Sequence, residues 1–465
     1  MLSDTSTSKP RAKWGLDLQP TQAWAPILAL VIFTALCLLA GAGGILRYTF
    51  PVGALLVGAY LYQRYPILYM GFTWWLWFLI AWLARVVDLQ AGWDEQRVML
   101  ITPVLVTSLC AITVFKHLPT SCSRGGMPFV LGIVGVCYGF FLGLVQHPVF
   151  PVVRALIDWL PPVLFGFHIY INWRDYPNYR QNLLRVFLWG VLVMGAYGVY
   201  QYMVAPEWDR YWLTSSGIKS MGSPTPRGMR VFGTLHSTGP YASVLMAGLM
   251  LLFANPSPLK PVVAGAGYLG FLLSSVRSVW GGWFVAVIIH MSSLKSNLQM
   301  RLIVAATIMM VCVIPLSQVQ PFAGVIGPRL QSLTNLGNDR SFNARTEIYD
   351  ENFNSALLQG LGNGLGAITR ENVVDSGVIE LLWTLGWMGT LPYLIGILLL
   401  FMAALMHTES RFDPFVSVSR AISVSIVLQL IIASTMLGVS GMMLWGFLGF
   451  TAAAHQYYKH RPPPL

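Results

Sequence analysis

Residues 316–377 read LSQVQPFAGVIGPRLQSLTNLGNDRSFNARTEIYDENFNSALLQGLGNGLGAITRENVVDSG. This is the one long polar segment in a chain that otherwise consists of apolar runs. Hydrophobic segments long enough to cross a bilayer lie on both sides of it. The pattern therefore predicts a membrane protein in which one large loop carries the chemistry. The segment contains arginines, acidic residues and clustered glycines, among them Arg329, Arg340, Arg345, Arg370, Glu347, Asp350, Glu351, Glu371, Asp375, Gly360, Gly362, Gly364 and Gly366.

The composition of the whole chain supports this interpretation. About 25% of residues in ordinary globular domains are charged, whereas here 10% of 465 residues are charged, 55% are hydrophobic and the mean hydropathy is +0.61. Apolar stretches of roughly 17–22 residues recur, and the short alternating segments of an outer-membrane barrel are absent. The sequence predicts an all-α, polytopic integral membrane protein with about 12–14 transmembrane helices and one large periplasmic loop.

The apolar runs predict spans at 22–40, 45–62, 67–84, 99–116, 127–145, 154–171, 183–203, 237–254, 260–274, 277–291, 300–316, 377–406, 417–437 and 438–457. The predicted layout is a cytoplasmic tail (1–21), a first group of spans (22–203), a periplasmic loop (204–236), a second group (237–316), the large periplasmic loop with an amphipathic helix (317–376), C-terminal spans (377–457) and a cytoplasmic tail (458–465).

Charge predicts the orientation of the chain. Both ends are basic, with Lys9, Arg11 and Lys13 ahead of the first span and Lys459 and Arg461 after the last, which is typical of cytoplasmic segments. The first span lacks a cleavage site and is expected to be a retained anchor. The net charge of +11 is attributed to basic loops that face anionic membrane lipids, so no nucleic-acid partner is expected. The five cysteines form no CxxC pair, and neither a metal nor a cofactor is expected.

The first polar constellation lies in the predicted external segment 204–236. Its aromatic stretch 208–212 is typical of residues that anchor a protein at headgroup level. Arg227 and Arg230 then lead into His236 at the start of a span. The arginines either bind a ligand or reach toward lipid phosphate. His236 is equally compatible with binding a ligand and with a polar residue near a helix cap.

The second constellation is Ser274–Ser278, in which Arg277 interrupts an apolar stretch of about thirty residues. An arginine at membrane depth costs at least ~2.5 kcal/mol. We therefore expect Arg277 to face a polar cavity or a partner, unless it marks a short external turn.

The third constellation is the large loop. Asn343 is suited to cap a helix that carries Arg345 in its first turn, and Gly360–Gly366 would end that helix and let the backbone approach another element closely. Arg370 and Asp375 follow at the mouth of the next span. Guanidinium groups suit a diphosphate, and a carboxylate near a sugar hydroxyl suits a general base. This chemistry fits glycan transfer from a lipid diphosphate, and it fits an anion transporter equally.

Four patches resemble the O-antigen ligase and polymerase superfamily of bacterial inner-membrane proteins. They are RVFGTLHSTGPYA at 230–242, SVRSVWGG at 275–282, the stretch from Arg345 through GLGNGLG at 360–366, and DSGVIELLWTLGWMG at 375–389. The likeness covers roughly residues 225–390. It implies a metal-independent, multispanning glycosyltransferase that uses undecaprenyl diphosphate-linked glycans, with its active site facing the periplasm. A chain-length regulator and a flippase of the same pathway are the protein partners that the resemblance suggests.

The resemblance also implies roles for individual residues. Arg230, Arg277 and Arg345 would bind the diphosphate leaving group, with Arg227 as a further candidate. Arg277 and Arg345, together with Asp375, are the expected catalytic residues. The expected substrate-binding residues are Arg227, Arg230, His236, Arg370 and Glu380.

The chain departs from the ligase pattern near Asp375. Ligases have histidine at this position, asparagine at Ser376 and glutamate at Thr384. An aspartate is what we expect of a polysaccharide polymerase, where it either activates the acceptor hydroxyl or orients a sugar or an arginine. Glu380 lies about 140° around a helix from Asp375 and is no clear substitute for it. The sequence thus predicts a polymerase first, a ligase that transfers glycan to lipid A-core or protein second, and a transporter of an anion or lipid intermediate third.

Overall fold

The structure is a computed structural model that describes residues 21–121, 125–316, 318–319, 322, 324, 327, 353–368, 376–406 and 408–461. Arg345, Arg370 and Asp375 lie outside the described residues, as do the capping residue expected at 343 and most of the N-terminal tail.

Helices dominate the described ranges. They are α1 (Thr21–Leu39), α2 (Gly43–Arg64), α3 (Pro66–Ala91), a 3-10 turn (Val98–Ile101), α4 (Thr102–Ser108), α5 (Ala111–Ser121), α6 (Met127–Gln146), α7 (Val149–Ile171), α8 (Tyr176–Val204), α9 (Glu207–Ser216), α10 (Thr238–Ala254), α11 (Lys260–Leu273), α12 (Arg277–Met291), α13 (Ser296–Leu316), α14 (Gly377–Met406), α15 (Pro414–Gln429) and α16 (Gly438–His460). A short helix at 353–357 precedes the glycine cluster.

The expected fold class is confirmed as an all-α, multi-pass membrane protein. In the described ranges, eight helical segments are long and apolar enough to cross a bilayer, and α10, α11 and α15 are shorter apolar helices. Each predicted span coincides with a helical stretch. The main difference is at 417–437, because α15 ends at Gln429 and residues 430–437 form an irregular connection to α16.

One end of the helix bundle, which the charge pattern predicts to be cytoplasmic, is held by Asp413. Its Oδ2 accepts hydrogen bonds from the Tyr176 hydroxyl at 2.7 Å and from Arg180 Nη1 and the Tyr458 hydroxyl at 2.8 Å each. These contacts join the starts of α8 and α15 to the end of α16. A carboxylate that is 3% exposed is thereby compensated by a cation and two hydroxyls.

The other end, predicted to be external, contains an interrupted helix. Gly386 in α14 has φ 58° and ψ −172°, so the helix breaks after Leu385 and resumes at Trp387. Backbone groups exposed by such a break would cost several kcal/mol each in hydrocarbon. Residues 359–366, which we call the glycine loop, lie in the gap.

The glycine loop completes the hydrogen bonds of the broken helix. The Asn363 and Gly364 N–H groups donate to the carbonyls of Trp383 and Thr384 at 3.0 and 2.8 Å, and the Trp387 N–H donates to the carbonyl of Gly360 at 3.1 Å. In a continuous helix the two carbonyls would have bonded to the N–H groups four residues later. The loop therefore takes the place of one turn of backbone hydrogen bonding.

The same loop packs against α6. The Leu365 N–H donates to the Gly139 carbonyl at 2.8 Å, and His147 Nε2 donates to the Asn363 carbonyl at 2.7 Å. A Cβ on Gly364 would lie 2.4 Å from the Gly143 nitrogen. The expectation that these glycines allow close backbone approach is confirmed, and the neighbours are α6 and the break in α14.

We predict that Gly364→Ala destabilises the protein. Gly364 has φ +75° and no room for a Cβ, so alanine adds left-handed strain of roughly 1–2 kcal/mol to a clash with α6. Thermal unfolding of the detergent-solubilised protein measures the effect. Gly360→Ala is the matched control, because a Cβ there meets nothing within 4 Å. Equal stability of the two variants would contradict the inserted position of the loop.

Candidate functional site

The segment 230–236 lies at the predicted external end, turns at Gly233 and Thr234, and is held by Gln201. The Gln201 Oε1 accepts hydrogen bonds from the N–H groups of Phe232 and Gly233 at 3.0 and 2.9 Å. Its Nε2 donates to Asp209 Oδ2 at 2.8 Å. The side chain of Gln201 is fully buried. One amide thus satisfies the backbone of a segment that has no helix or sheet to do so.

A buried ion pair holds the same segment from the other side. Arg85 Nε lies 2.7 Å from Asp209 Oδ1, and the two side chains are 1% and 0% exposed. The Arg85 guanidinium also donates to the carbonyl of Gly233 at 2.5 Å and to that of Leu235. It lies over the Phe232 ring, 4.9 Å from the ring centre. The pair therefore links α3 and α9 to residues 232–235.

This arrangement corrects the interpretation of 208–212 as surface anchors. Asp209 is completely buried and Trp212 is 5% exposed. The Trp208 indole donates to the Tyr197 hydroxyl at 2.6 Å, and that hydroxyl donates to Asp209 at 2.8 Å. The aromatic residues of this stretch therefore enclose a buried acid. A buried carboxylate needs hydrogen-bond donors from the protein itself.

The structure brings Arg230 together with the Ser274–Arg277 turn. Arg230 Nη2 donates to the Ser275 carbonyl at 3.3 Å, and Nη1 donates to the Ser220 carbonyl at 3.1 Å. Arg277 is the first residue of α12 and is half-buried. Both arginines therefore lie at the predicted external end of the bundle, separated along the chain by a complete helical hairpin.

The turn before Arg277 is strained. Ser275 has φ 57°, the left-handed region that costs a non-glycine residue roughly 1–2 kcal/mol. Arg97, Ala205 and Arg227 are the other non-glycine residues with positive φ in the described part of the chain, at 52°, 49° and 64°. All four lie at the predicted external end. Such strain concentrates at functional sites, because the surrounding structure there imposes the backbone conformation.

His236 lies beside a small cavity of about 20 Å³ whose lining includes Asp88, Asp94, Arg97 and Trp93. That volume accommodates one water molecule and excludes a sugar ring. Arg47 pairs with Asp88 at 3.0 Å and lies 3.9 Å from Asp94. The carboxylates here are thus already neutralised by the protein.

His236 is an exposed residue, and the protein around the cavity that it lines surrounds part of its side chain. Desolvation by that surrounding protein, followed by the positive charges of Arg97 and Arg85, lowers the pKa of His236 below its ordinary value. A histidine whose pKa is lowered is neutral at physiological pH. His236 is therefore suited to donate or accept a hydrogen bond and unsuited to pair with a phosphate as a cation.

Glu380 lies in the first turn of α14 and is 6% exposed. Its Oε2 makes no well-aligned hydrogen bond among the described residues, although the Ser434 hydroxyl lies close to the carboxyl group. The neighbouring Ser376 donates to the Ile431 carbonyl at 2.9 Å, so the start of α14 is fastened to the connection between α15 and α16. A buried carboxylate oxygen without a well-aligned donor is a polar group that a ligand or another part of the chain can satisfy.

The end of α15 packs against both the helix that carries Glu380 and the helix that begins at Arg277. A Cβ on Gly377 would contact the Leu430 and Ala433 carbonyls, and a Cβ on Gly282 of α12 would contact Gln429 and Ser425. The starts of α12 and α14 thus flank the same helix end. At the external end, Arg230, Arg277 and Glu380 therefore lie on neighbouring elements. Arg227 is an exposed residue in the segment that leads to Arg230.

Sequence reasoning missed Arg85, Gln201 and Asp209 as determinants of this site. The signal in the sequence was that an arginine and an acid lie near the ends of separate apolar segments. Ionisable groups at membrane depth need partners, so these two could have been predicted to pair. Thr384, where the ligase pattern has glutamate, is 3% exposed and lies against the glycine loop.

We predict that Asp209→Ala strongly destabilises the protein, because it leaves the Arg85 guanidinium buried without its counter-charge. Removing one partner of a buried ion pair costs about 3–5 kcal/mol. Thermal unfolding measures the loss, and limited trypsin digestion after the exposed Arg227 should accelerate as segment 230–236 loosens. Glu207→Ala is the matched control on the same helix, since Glu207 is 75% exposed and lies 3.9 Å from Arg210. Unchanged trypsin sensitivity in Asp209→Ala would contradict the proposed role of the ion pair.

The sequence matches no protein-family model, and a search of curated proteins finds no match. The function is therefore argued from the geometry and chemistry of this site.

Proposed function

We propose that the protein is an inner-membrane glycosyltransferase that polymerises undecaprenyl diphosphate-linked oligosaccharide repeats into O-antigen or exopolysaccharide on the periplasmic face. The observation that carries the proposal is the hydrogen bond from Arg230 to the Ser275 carbonyl. It brings two arginine-bearing segments, distant in sequence, to one surface at the end of the spans.

The chemistry of that surface suits a diphosphate. Arg277 occupies the first position of α12, and α10 begins just after His236. A helix N-terminus carries partial positive charge and presents free N–H groups, which favour phosphate oxygens. Two guanidinium groups beside such termini can hold a diphosphate through several hydrogen bonds, with the isoprenoid chain remaining in the bilayer.

In the proposed reaction, a hydroxyl of an incoming lipid-linked repeat attacks the anomeric carbon of the growing glycan. The bond from that carbon to the diphosphate oxygen breaks, and the lipid diphosphate leaves with the bonding electron pair. Arg277 and Arg230 stabilise the negative charge that develops on the leaving group. The proton of the attacking hydroxyl passes to a carboxylate, for which we propose Asp375, with Arg345 and Arg370 supplying further contacts from the large loop.

Glu380 is the described carboxylate nearest in sequence to Asp375. Its side chain is buried at the start of α14 near the Ser434 hydroxyl, and its Oε2 makes no well-aligned hydrogen bond within the described residues. In the proposal it accepts a hydrogen bond from a sugar hydroxyl and thereby orients the substrate. Metal ions and cofactors have no role in the proposed reaction.

A transporter of an anion or a lipid-linked intermediate is the candidate from a different functional class, and a broken helix such as α14 is the feature that would point to it. Discontinuous helices line the substrate sites of many transporters, where free backbone groups coordinate the cargo. In this chain the carbonyls of Trp383 and Thr384 and the N–H of Trp387 are bonded to the glycine loop. Because those groups are already occupied, the break does not offer backbone groups for binding a transported molecule.

We predict that Arg277→Ala abolishes long surface glycan in a deletion strain complemented with the variant. Removing one donor to a developing anion costs about 10²–10³ in rate. Arg230→Ala should show a similar loss, and Arg277→Lys an intermediate one, because lysine retains the charge and loses the planar fork. Glycan length distributions and protein levels in the membrane are measured together.

Arg210→Ala provides the control, because Arg210 is an exposed arginine on the same end of the protein. Normal polymer from both Arg230→Ala and Arg277→Ala would overturn the proposal. Long lipid-linked polymer that accumulates unattached would identify a ligase. Loss of single repeats from the external face, with synthesis intact, would identify the transporter.

A further inference from the structure

A large groove runs between α1, α3 and α8, and neither Arg230 nor Arg277, which define the arginine surface, lines it. Its volume is about 880 Å³. Its walls are almost entirely aliphatic and aromatic, and they extend along α3 from Ile67 to Leu83. That stretch is about 24 Å long at 1.5 Å per residue, against a hydrocarbon core of roughly 30 Å.

The groove is open to the lipid. Val31 of α1 and Trp189 of α8 line it and are 57% and 47% exposed. Protein interiors are packed as densely as organic crystals, and a lipid-facing apolar space of this size is filled by acyl chains and not by water. Acyl chains are therefore the expected filling of the groove, and its polar residues indicate which headgroup chemistry would fit.

Apart from Thr34 of α1, whose hydroxyl donates to the Leu30 carbonyl, the hydrophilic lining residues form one stripe on α8. Asn178, Gln181, Asn182 and Arg185 recur at i, i+3, i+4 and i+7, which is the spacing of one helix face. Asn182 donates to the Ile67 carbonyl at 2.7 Å, whereas Asn178, Gln181 and Arg185 are exposed. The stripe lies at the end of the groove predicted to face the cytoplasm, because Tyr176 and Arg180 at the start of α8 bind Asp413.

Arg185 is the charged member of the stripe. It has no hydrogen-bond, ion-pair or ring partner among the described residues, and no acidic residue lines the groove. It lies about 7.5 Å along α8 from Arg180, which places it inside the helix and not at its end. A guanidinium at that depth needs an anion, and the phosphate of a lipid headgroup is the anion available at a membrane surface.

We propose that this groove is a binding site for one anionic phospholipid of the cytoplasmic leaflet. The acyl chains lie along α1 and α3, and the phosphate accepts hydrogen bonds from Arg185. The exposed amides of Asn178 and Gln181 donate to the phosphate or to the ester oxygens. The occupied groove completes the packing of α1, which in the described chain packs chiefly against α2. The site is separate from the arginine surface and does not depend on the proposed polymerase activity.

The test is native mass spectrometry of the full-length, delipidated protein titrated with phosphatidylglycerol and, separately, with phosphatidylcholine of identical acyl chains. The first lipid to bind should be phosphatidylglycerol, about fivefold tighter than phosphatidylcholine, because one cationic side chain contributes ~1 kcal/mol toward an anionic lipid. This comparison needs only the wild-type protein.

Two pairs of variants locate the site. Arg185→Gln should remove the preference for phosphatidylglycerol, whereas Arg64→Gln, at the exposed end of α2 and outside the groove, should retain it. Ala35→Trp, which fills the groove, should weaken the binding of both lipids. Ala29→Trp, on the same helix but outside the groove, should not.

Three results would overturn the proposal. They are equal affinities of the wild type for the two lipids, a preference that survives in Arg185→Gln, and an isoprenoid phosphate instead of a phospholipid extracted from the wild-type protein.

Discussion

The structure depends on one constraint: backbone N–H and C=O groups that leave a regular helix inside a membrane protein must find partners within the protein. The chain leaves helical geometry at two important places near the predicted external end. At Gly386 the partners are backbone groups of the glycine loop. At 232–235 they are the side chains of Gln201 and Arg85. Both irregular segments are therefore specific structures and not loose connections.

The contacts that hold residues 232–235 bring the charged Arg85 into the interior of the protein. Arg85 can satisfy two carbonyls only if its own charge is compensated, and Asp209 supplies that compensation. Asp209 in turn is held by Gln201 and Tyr197, so four side chains from α3, α8 and α9 act as one unit. These four side chains hold segment 230–236 and thereby position Arg230, and they are unavailable for a ligand themselves.

The two ends of the bundle consequently differ in character. Around Asp413 the charges are paired, aromatic rings pack closely, and the helix termini are joined directly. At the opposite end the backbone is strained at Ser275 and Arg227. Such strain costs stability, and proteins retain it where a ligand or a reaction uses it. This asymmetry supports the proposal that the chemistry occurs at the external end.

The sequence alone determined the helical membrane class and the approximate positions of the apolar helices. These follow from a local quantity, namely the length of apolar runs. It also indicated that the glycines at 360–366 allow a close backbone approach. The tertiary structure decided which elements meet, because the partners are far apart in the chain: the glycine loop with the break in α14, Arg85 with Asp209, and Arg230 with the Ser275 carbonyl. No local pattern encodes such pairings, since each depends on how whole helices pack against one another.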